Sequence, residues 1–234
     1  MMDFYRHPEW RVSWGGALNG QSHRQRMVEA LIRDLPLQAI VETGTYRGTT
    51  TAYLAAVSAL PIYTVEVDRR KQGFSFAMLR QCNNVRRYAG DSRQFLRRLA
   101  ATPDLADKTV LFYLDAHGNG ELPLAEEIDI IFSHWRRPVV LIDDFQVPDD
   151  DGYGYDNYGP GKALNRDYIE PAVRAFSLRM FFPSVTSKSE TGWKRGSVTL
   201  AADPDLIRTL RTIREIREWE GSRALDLGSL IVAS

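Results

Sequence analysis

The sequence predicts an α/β fold, with a doubly wound and mostly parallel sheet of seven strands and an antiparallel pair of strands at one edge. Short runs rich in β-branched and aromatic residues alternate five times with longer segments that carry apolar residues on one side. Most of the short runs end on an acidic residue or a glycine. Five successive strand–helix repeats imply parallel strands whose crossover helices cover both faces of the sheet.

The predicted elements follow one another without a linker. The first five strands are predicted at residues 39–43, 62–67, 85–90, 109–115 and 138–144, and the intervening helices at 49–59, 71–82, 92–102 and 122–135. Residues 177–183 and 197–202 are predicted as the antiparallel pair, and apolar residues three or four apart predict a helix over 204–219. We therefore expect one domain over residues 1–234: an N-terminal arm and helix (1–37), a sheet core (38–202), and a C-terminal helix and tail (203–234).

The composition narrows the range of partners. Thirty Lys and Arg residues balance thirty Asp and Glu residues, so the chain has no overall basic field for nucleic acid or an anionic membrane. The single cysteine, Cys82, excludes a disulfide framework and a zinc site with several cysteines. The N-terminus lacks the apolar segment of a signal peptide, and no apolar run approaches membrane-spanning length. We expect a cytoplasmic protein without nucleic-acid or membrane partners.

The ends of the predicted strands are the expected ligand site. In such a sheet, ligands bind beyond the carboxyl ends of the strands, near the switch point between the first and fourth strands. The first strand leads through Gly44, where the backbone can approach a ligand closely, into a turn and a helix N-terminus. The turn is neither a triphosphate loop, since no Gly-Lys-Ser/Thr follows Gly48, nor a dinucleotide fingerprint, since Tyr46 and Thr49 replace glycines.

Acidic residues recur at five successive strand ends. Any one of them alone is more typical of a solvated loop or a helix cap, but their recurrence indicates a site. A carboxylate at Glu66 could accept both hydroxyls of a ribose, and Asp91 and Ser92 would lie within reach of an adenine edge. The fourth and fifth strands end in two further groups, Asp115 with His117, and Asp143 with Asp144.

These residues resemble the motifs of class I S-adenosylmethionine (SAM)-dependent methyltransferases. The resemblance is carried by VETGTYRG at residues 41–48, Glu66, GDS at 90–92, and strands ending in Asp115 and Asp143. Within that superfamily, YLDAH followed by VVLIDDF is similar to the metal-dependent small-molecule O-methyltransferases related to macrocin O-methyltransferase and the cephalosporin hydroxylase group. The resemblance spans about residues 38–200, with one departure: Tyr46 stands where many methyltransferases have a second glycine.

The resemblance implies a cofactor, a metal and a reaction. It implies SAM bound by Glu42, Thr43, Gly44, Thr45, Glu66, Asp91 and Ser92. It implies a metal held by Asp115, Asp143 and Asp144, with magnesium first and another hard divalent cation as the alternative. The acceptor would be a hydroxyl of a small molecule such as a sugar, a polyol or a natural product. Asp115 is the first candidate for the catalytic base, and His117 is the second.

The sequence leaves several interpretations of the function and of individual segments open. A nucleotide-binding enzyme of another class and a non-catalytic SAM- or metal-binding module are the alternatives. Residues 14–26 form either a cofactor cover or a plain arm, and residues 149–162 form either a polar surface loop or a lid carrying tyrosines 153, 155 and 158. Lys194 or Arg195 could face an anionic substrate. The predicted helix at 204–219 and the tail at 228–234 pack on their own domain or on a second subunit, which leaves a homo-oligomer open.

Overall fold

The computed structural model describes residues 2–118 and 120–220, and its centre is one sheet of eight strands. The order across the sheet is β3-β2-β1-β4-β5-β7-β6-β8. The strands are β1 Ala39–Thr43, β2 Ile62–Glu66, β3 Val85–Ala89, β4 Thr109–Leu114, β5 Arg137–Asp143, β6 Arg179–Pro183, β7 Ser197–Ala201 and β8 Ile216–Glu218.

Strands β1 to β5 pair in parallel, as predicted. Every residue of β1 and β4 is buried, because helices cover both faces of these central strands. Strand β7 runs antiparallel to both β5 and β6, which confirms the predicted antiparallel pair. An eighth strand, β8, pairs antiparallel with β6 and was not among the seven predicted.

Helices cover the sheet on both sides, which confirms the doubly wound arrangement. The helices are α1 Met2–Arg6, α2 Ser22–Asp34, α3 Thr49–Val57, α4 Arg69–Met78, α5 Ser92–Ala100, α6 Pro103–Ala106, α7 Leu124–His134, α8 Arg166–Ala175 and α9 Pro204–Leu210. Helices α2, α3 and α9 bury their apolar residues in one core, and α5, α7 and α8 bury theirs in the other. Successive residues of the strands point to opposite cores: Ile40 lies in the first and Val41 in the second.

The predicted helix over residues 204–219 is wrong beyond its first half. Helix α9 ends at Leu210, and after a turn the chain continues as β8. Of the apolar residues behind the prediction, all but Trp219 are buried; Ile216 lies in the core of α2, while the partly buried Trp219 packs against the opposite core. A strand can place residues three apart on opposite faces, and pairing with β6 satisfies the backbone of this segment. The predicted tail at 228–234 lies outside the described residues.

The topology places a switch point between β1 and β4, as predicted. From β1, the chain moves outward through β2 to β3, and it then returns to the other side of β1 with β4. The loops that follow β1 and β4 therefore diverge at the carboxyl edge of the sheet and leave a crevice between them. Among the described helices, none combines the length and the hydropathy that crossing a bilayer requires.

Candidate active site

A cavity of about 710 Å³ opens at the carboxyl edge of the sheet. Its walls come from the residues that follow β1, β2, β3, β4 and β5, together with the N-terminal segment and the chain before β7. This volume is in the range of sites that enclose a small molecule or a cofactor. The predicted location of the site, beyond the strand ends at the switch point, agrees with the cavity.

The loop after β1 lies against the end of β4. Gly44 has φ 88°, and a Cβ there would lie 2.1 Å from the carbonyl oxygen of Asp115, so this contact requires glycine. Tyr46 adopts a left-handed φ of 49°. Because glycine takes this conformation readily, the loop has at Tyr46 the local conformation that a second glycine would give. Gly44, Thr45 and Tyr46 all line the cavity.

The ends of β2 and β3 form one end of the cavity. One oxygen of the buried Glu66 carboxylate accepts from the backbone N–H of Tyr46 at 2.7 Å, and the other accepts from that of Asp68 at 2.8 Å. Burial raises the pKa of Glu66, against the effect of these two donors. Asp91 and Ser92 line the cavity beside Glu66, as the prediction requires. Asp91 also caps helix α5 and pairs with Arg93, which lowers its pKa.

Glu42 and Thr43 differ from the prediction, because neither side chain lines the cavity. Both are buried in β1 below the floor of the cavity. Glu42 accepts hydrogen bonds from the hydroxyls of Thr51 and Thr64. Burial raises the pKa of Glu42 to about 7, although these two hydroxyls favour the ionised form. The Glu42 carboxylate is therefore not exposed to a ligand in the cavity.

Acidic and imidazole groups meet at the other end of the cavity. One ligand atom from each of Asp115, His117 and Asp144 lies within 4.8 Å of the other two. The Nε2 of His117 is 3.7 Å from Asp115 Oδ1 and 3.7 Å from Asp144 Oδ2. Its side chain is only 3% exposed, and Nε2 has no hydrogen-bond partner among the described residues. The structure thus brings together two of the predicted metal ligands with the residue predicted as the second base.

Asp143 differs from the predicted ligand set, because it is not among the three residues whose ligand atoms lie close together. It is buried at the end of β5 and accepts from the guanidinium of Arg24 and the hydroxyl of Tyr113. The backbone N–H of Asp144 donates to the same carboxylate at 2.8 Å. Strand β5 ends at Asp143, whose carboxylate meets Arg24 of helix α2, and Asp144 follows with a left-handed φ of 51° and lines the cavity. Asp143 touches the cavity wall but lies outside the set of three close ligand atoms.

Arg195, just before β7, fixes the carboxylates of the fifth strand end. Its Nε donates to Asp144 Oδ1 at 2.7 Å, and its second guanidinium nitrogen donates to Asp156 Oδ1. Burial works to raise the pKa of Asp144, but His117 and Arg195 outweigh it and lower that pKa to about 2. The side chain predicted to face an anionic substrate thus contacts two acids of the protein itself.

The surroundings also change the pKa values of Asp115 and His117. Burial raises the pKa of Asp115 well above its ordinary value, and the neighbouring charges of Asp143 and Asp144 raise it further. Burial works to lower the pKa of His117, but the surrounding carboxylates, with Asp144 first, raise it on balance. The cavity therefore holds a carboxyl group and an imidazole that both take up protons more readily than they would in water.

The N-terminal segment covers part of the cavity. Trp14, Gly16 and Asn19 line it, so residues 14–26 are not a plain arm. The ring of Trp14 meets that of Trp193 edge to face, with centroids 4.9 Å apart. The backbone N–H of Trp193 donates to the carbonyl of Asn19 at 2.9 Å, which joins the two segments at the mouth.

The chain after β5 is more fixed than a lid would be. Tyr153 is 2% exposed and packs in the core, with its hydroxyl donating to the carbonyl of Val185. Asp150 accepts from the backbone and hydroxyl of Ser187. Asp156 lines the cavity and accepts from the hydroxyl of Tyr158. These contacts favour a structured loop that contributes one acid to the site.

Residues that the motifs did not identify complete the site: Arg24, Tyr113, Asp156, Asn19 and the two mouth tryptophans. A signal existed for Arg24, because it is spaced three and four residues from Met27 and Val28 on the buried face of α2. A charged residue on such a face needs a buried partner, and Asp143 is that partner. No comparable signal exists for Asp156, which stands among several aspartates of an irregular stretch.

Comparison with known proteins establishes the fold of the chain. No protein-family model and no curated protein matches the sequence. Among solved structures, an O-methyltransferase from Bacillus cereus in complex with SAH is 15% identical, with a TM-score of 0.55 over 78% of this chain and 81% of that one. The O-methyltransferase TomG from Streptomyces achromogenes, in complex with SAM, is 16% identical, with a TM-score of 0.52 over 77% and 78%.

A third similar structure is a spermidine synthase from Thermotoga maritima. It is 11% identical, with a TM-score of 0.53 over 82% of this chain and 64% of that one. The three neighbours share a Rossmann-like fold of the class I methyltransferase type, and this chain has that fold. Identities this low establish the architecture, and the chemistry has to be argued from the site.

Proposed function

We propose that the protein is a SAM-dependent O-methyltransferase that acts on a hydroxyl of a small molecule, with the help of a divalent cation. One observation carries the proposal: a single cavity has Glu66 and the loop after β1 at one end, and the group of Asp115, His117 and Asp144 at the other. The first end suits a nucleoside. The second suits an acceptor hydroxyl that has to lose a proton.

The cofactor end supports SAM rather than a dinucleotide. A carboxylate at the end of β2 is the expected acceptor for ribose hydroxyls, and Glu66 lines the cavity there. Gly44 and Thr45 line the adjoining wall, where a methionine moiety would lie. Two neighbours of the same fold were solved with SAH and with SAM. The turn lacks the glycines of a dinucleotide fingerprint, which counts against the nicotinamide alternative.

The residues present fit a divalent cation. The fit is tested by His117, whose buried Nε2 lacks a hydrogen-bond partner although carboxylate oxygens surround it. Asp115 and Asp144 would supply oxygen ligands beside it. A cation held there would lower the pKa of an acceptor hydroxyl and fix its orientation.

The protein's part in methyl transfer is to align the acceptor and to accept its proton. Methyl transfer is an in-line displacement, so the acceptor oxygen must face the methyl group along the length of the cavity. Asp115 follows β4, and its backbone lies against Gly44 of the cofactor end, so it is close to both ends of the cavity. A carboxylate there can contact both a cation and an acceptor hydroxyl, and we assign Asp115 as the first candidate for the base, with His117 second.

The proposal includes the setting of the reaction. Balanced charge and one free cysteine support a small-molecule acceptor rather than a nucleic acid, in a cytoplasmic setting without a membrane partner. At the mouth of the cavity, the rings of Trp14 and Trp193 offer apolar surface to such an acceptor.

Calorimetric titration with SAM and with SAH tests the proposal first. We expect binding of both, and formation of SAH when SAM is supplied with a pool of hydroxyl compounds and a divalent cation. The variant Asp115→Asn should keep SAM affinity within about threefold and lose turnover. Absence of SAM and SAH binding would return the site to another class of nucleotide-binding enzyme. Binding without transfer to any acceptor would favour a non-catalytic module.

A further inference from the structure

We infer that the cavity holds a metal site made by His117, Asp115 and Asp144, and that this site prefers a borderline transition-metal ion such as Fe²⁺, Co²⁺ or Zn²⁺ over Mg²⁺. The inference deepens the proposed function and rests on it for its role in the reaction. It departs from the sequence-based ligand set in two respects: His117 is a ligand, which leaves Asp115 alone as the candidate base, and Asp143 is not a ligand.

The His117 ring lies close to two carboxylates of the cavity. Its Nε2 lies 3.7 Å from one oxygen of Asp115 and 3.7 Å from one oxygen of Asp144. Charge-assisted hydrogen bonds between nitrogen and carboxylate are about 2.7–2.9 Å long. At 3.7 Å, His117 Nε2 is therefore too far from Asp115 and from Asp144 for a hydrogen bond to either one. Ligand atoms about 2.1 Å from a shared ion lie roughly 3 to 3.7 Å apart, which matches the separations found here.

The His117 ring is also buried. The His117 side chain is 3% exposed, and its Nε2 has no hydrogen-bond partner in the part of the chain that the structure describes. A buried polar atom without a partner costs free energy, so a group that fits against it is expected. Carboxylate oxygens of Asp115, Asp144 and Asp156 lie 3.7 to 3.9 Å from this nitrogen, and a cation is a group that would suit both the nitrogen and these oxygens.

Arg195 fixes the orientation of the Asp144 carboxylate. Arg195 donates to Oδ1 of this carboxylate at 2.7 Å, and Oδ2 is the oxygen nearest to His117. Arg195 therefore neutralises one side of Asp144 and leaves the other side directed at the site. Its second nitrogen binds Asp156 in the same way. Arg195 is thus a positioning residue that turns a carboxylate toward the ion without blocking it.

Asp143 is not a ligand in the proposed metal site, because other residues already occupy its carboxylate. Arg24 and Tyr113 both donate to its buried carboxylate, and the Asn19 amide contacts it at 3.4 Å. A divalent ion would have to compete with the Arg24 guanidinium for this group, at the cost of leaving a buried cation without its partner.

The metal class follows from the ligands. Magnesium prefers oxygen ligands in near-octahedral geometry, whereas imidazole suits iron, zinc and related ions of the first transition row. One imidazole with two carboxylates is a mixed nitrogen and oxygen set. Such a set gains affinity from Mg²⁺ toward Co²⁺ because the nitrogen is a softer ligand than oxygen.

The inference is tested by titrating the intact protein with Co²⁺ in the absence of SAM. Binding is monitored by visible absorption and by calorimetry. We expect a Co²⁺ absorption band on binding, and retention of bound Co²⁺ in a tenfold excess of Mg²⁺. The variant His117→Ala should lose at least about tenfold in Co²⁺ affinity, since even the loss of a residue that supports a ligand costs roughly 10–100-fold. The matched control is His134→Ala, because His134 lies in α7, hydrogen-bonds through Nδ1 to a carbonyl of its own helix and does not line the cavity.

Three results would overturn the inference: displacement of Co²⁺ by an equal concentration of Mg²⁺, unchanged Co²⁺ affinity in His117→Ala, or no binding of Co²⁺. If His117→Ala does not fold, as judged by its thermal transition, His117→Gln replaces it. SAM binding is titrated separately. Loss of the metal result with SAM binding intact refutes this inference alone, and metal binding without SAM binding refutes the proposed function instead.

Discussion

The guanidinium of Arg24, on helix α2, donates to the carboxylate of Asp143 at the end of β5, and both side chains are at most 4% exposed. The two residues are 119 positions apart in the chain. Their pairing anchors the N-terminal helix to the fifth strand directly beneath the cavity, so it supports both the fold and the position of the site.

Removal of Arg24 should be strongly destabilising. In Arg24→Met, Asp143 would remain buried without its cation, which costs about 3–5 kcal/mol for a buried pair. Urea denaturation measures the change in the free energy of unfolding. The matched control is Arg208→Met, which breaks the exposed pair with Asp205 and should cost less than about 1 kcal/mol. Equal losses in the two variants would contradict a buried role for Arg24.

The replacement Glu42→Gln should change how stability depends on pH. Burial raises the pKa of Glu42 from 4.5 to about 7, so the unfolded chain releases this proton at a lower pH than the folded chain. Between these two values the unfolded state binds fewer protons, and the wild-type protein loses stability as the pH rises; above about 7 the loss is constant. The glutamine variant has no such loss and should gain up to about 3 kcal/mol relative to wild type at pH 8, and less than about 0.5 kcal/mol at pH 4.5.

Denaturation curves of both proteins at several pH values measure this difference. Parallel stability profiles across the range would show that Glu42 ionises at the same pH in the folded and unfolded states. Thr51 and Thr64 donate to one oxygen of Glu42, which the glutamine oxygen can replace, so the comparison isolates the charge.

The replacement Gly44→Ala should disturb both the fold and the cofactor end of the cavity. Its Cβ would lie 2.1 Å from the Asp115 carbonyl oxygen, in addition to the strain of φ 88°. The matched control is Gly161→Ala, because Gly161 has φ 71° and open space around it. The control should cost about 1–2 kcal/mol from backbone strain alone.

We expect Gly44→Ala to lower the melting temperature by clearly more than the control and to weaken SAH binding. Thermal unfolding and calorimetry measure the two effects. If both alanine variants lose the same stability, the close approach of the two strand ends is not a constraint on the fold.

The replacement Glu66→Gln should weaken SAH binding by about 10–100-fold, because hydrogen bonds to a charged group contribute about 1.5–3 kcal/mol. The two backbone donors that Glu66 accepts are at Tyr46 and Asp68, so the melting temperature must be checked with the affinity. The control Glu29→Gln changes a carboxylate on α2 that does not line the cavity. Wild-type affinity in Glu66→Gln would remove this residue from the cofactor site.

The sequence predicted the central sheet well because its strands are buried on both faces. Continuous apolar runs such as residues 109–114 are difficult to place anywhere except in the middle of a covered sheet. Once the strands were assigned, the rule for open sheets placed Glu66 and Asp115 at one edge, and both line the cavity.

The sequence could not separate Asp143 from Asp144. The two aspartates are adjacent, and which of them reaches the cavity depends on where β5 ends and on the left-handed φ of 51° at Asp144. The partner of Asp143, Arg24, lies in a helix that packs against the sheet only in the folded chain. Spacing also failed at the C-terminus, where apolar residues three or four apart fit a helix as well as a helix followed by an edge strand.

The pair of tryptophans at the mouth of the cavity gives the protein an internal optical reporter. Trp14 and Trp193 are more than half exposed, whereas Trp135 is buried in the core. A molecule that enters the cavity beside the two mouth indoles would displace water from both of them, while the emission of Trp135 would stay constant. Quenching by iodide should therefore fall when the cavity fills, and the unknown acceptor could be sought by fluorescence before any turnover is detected.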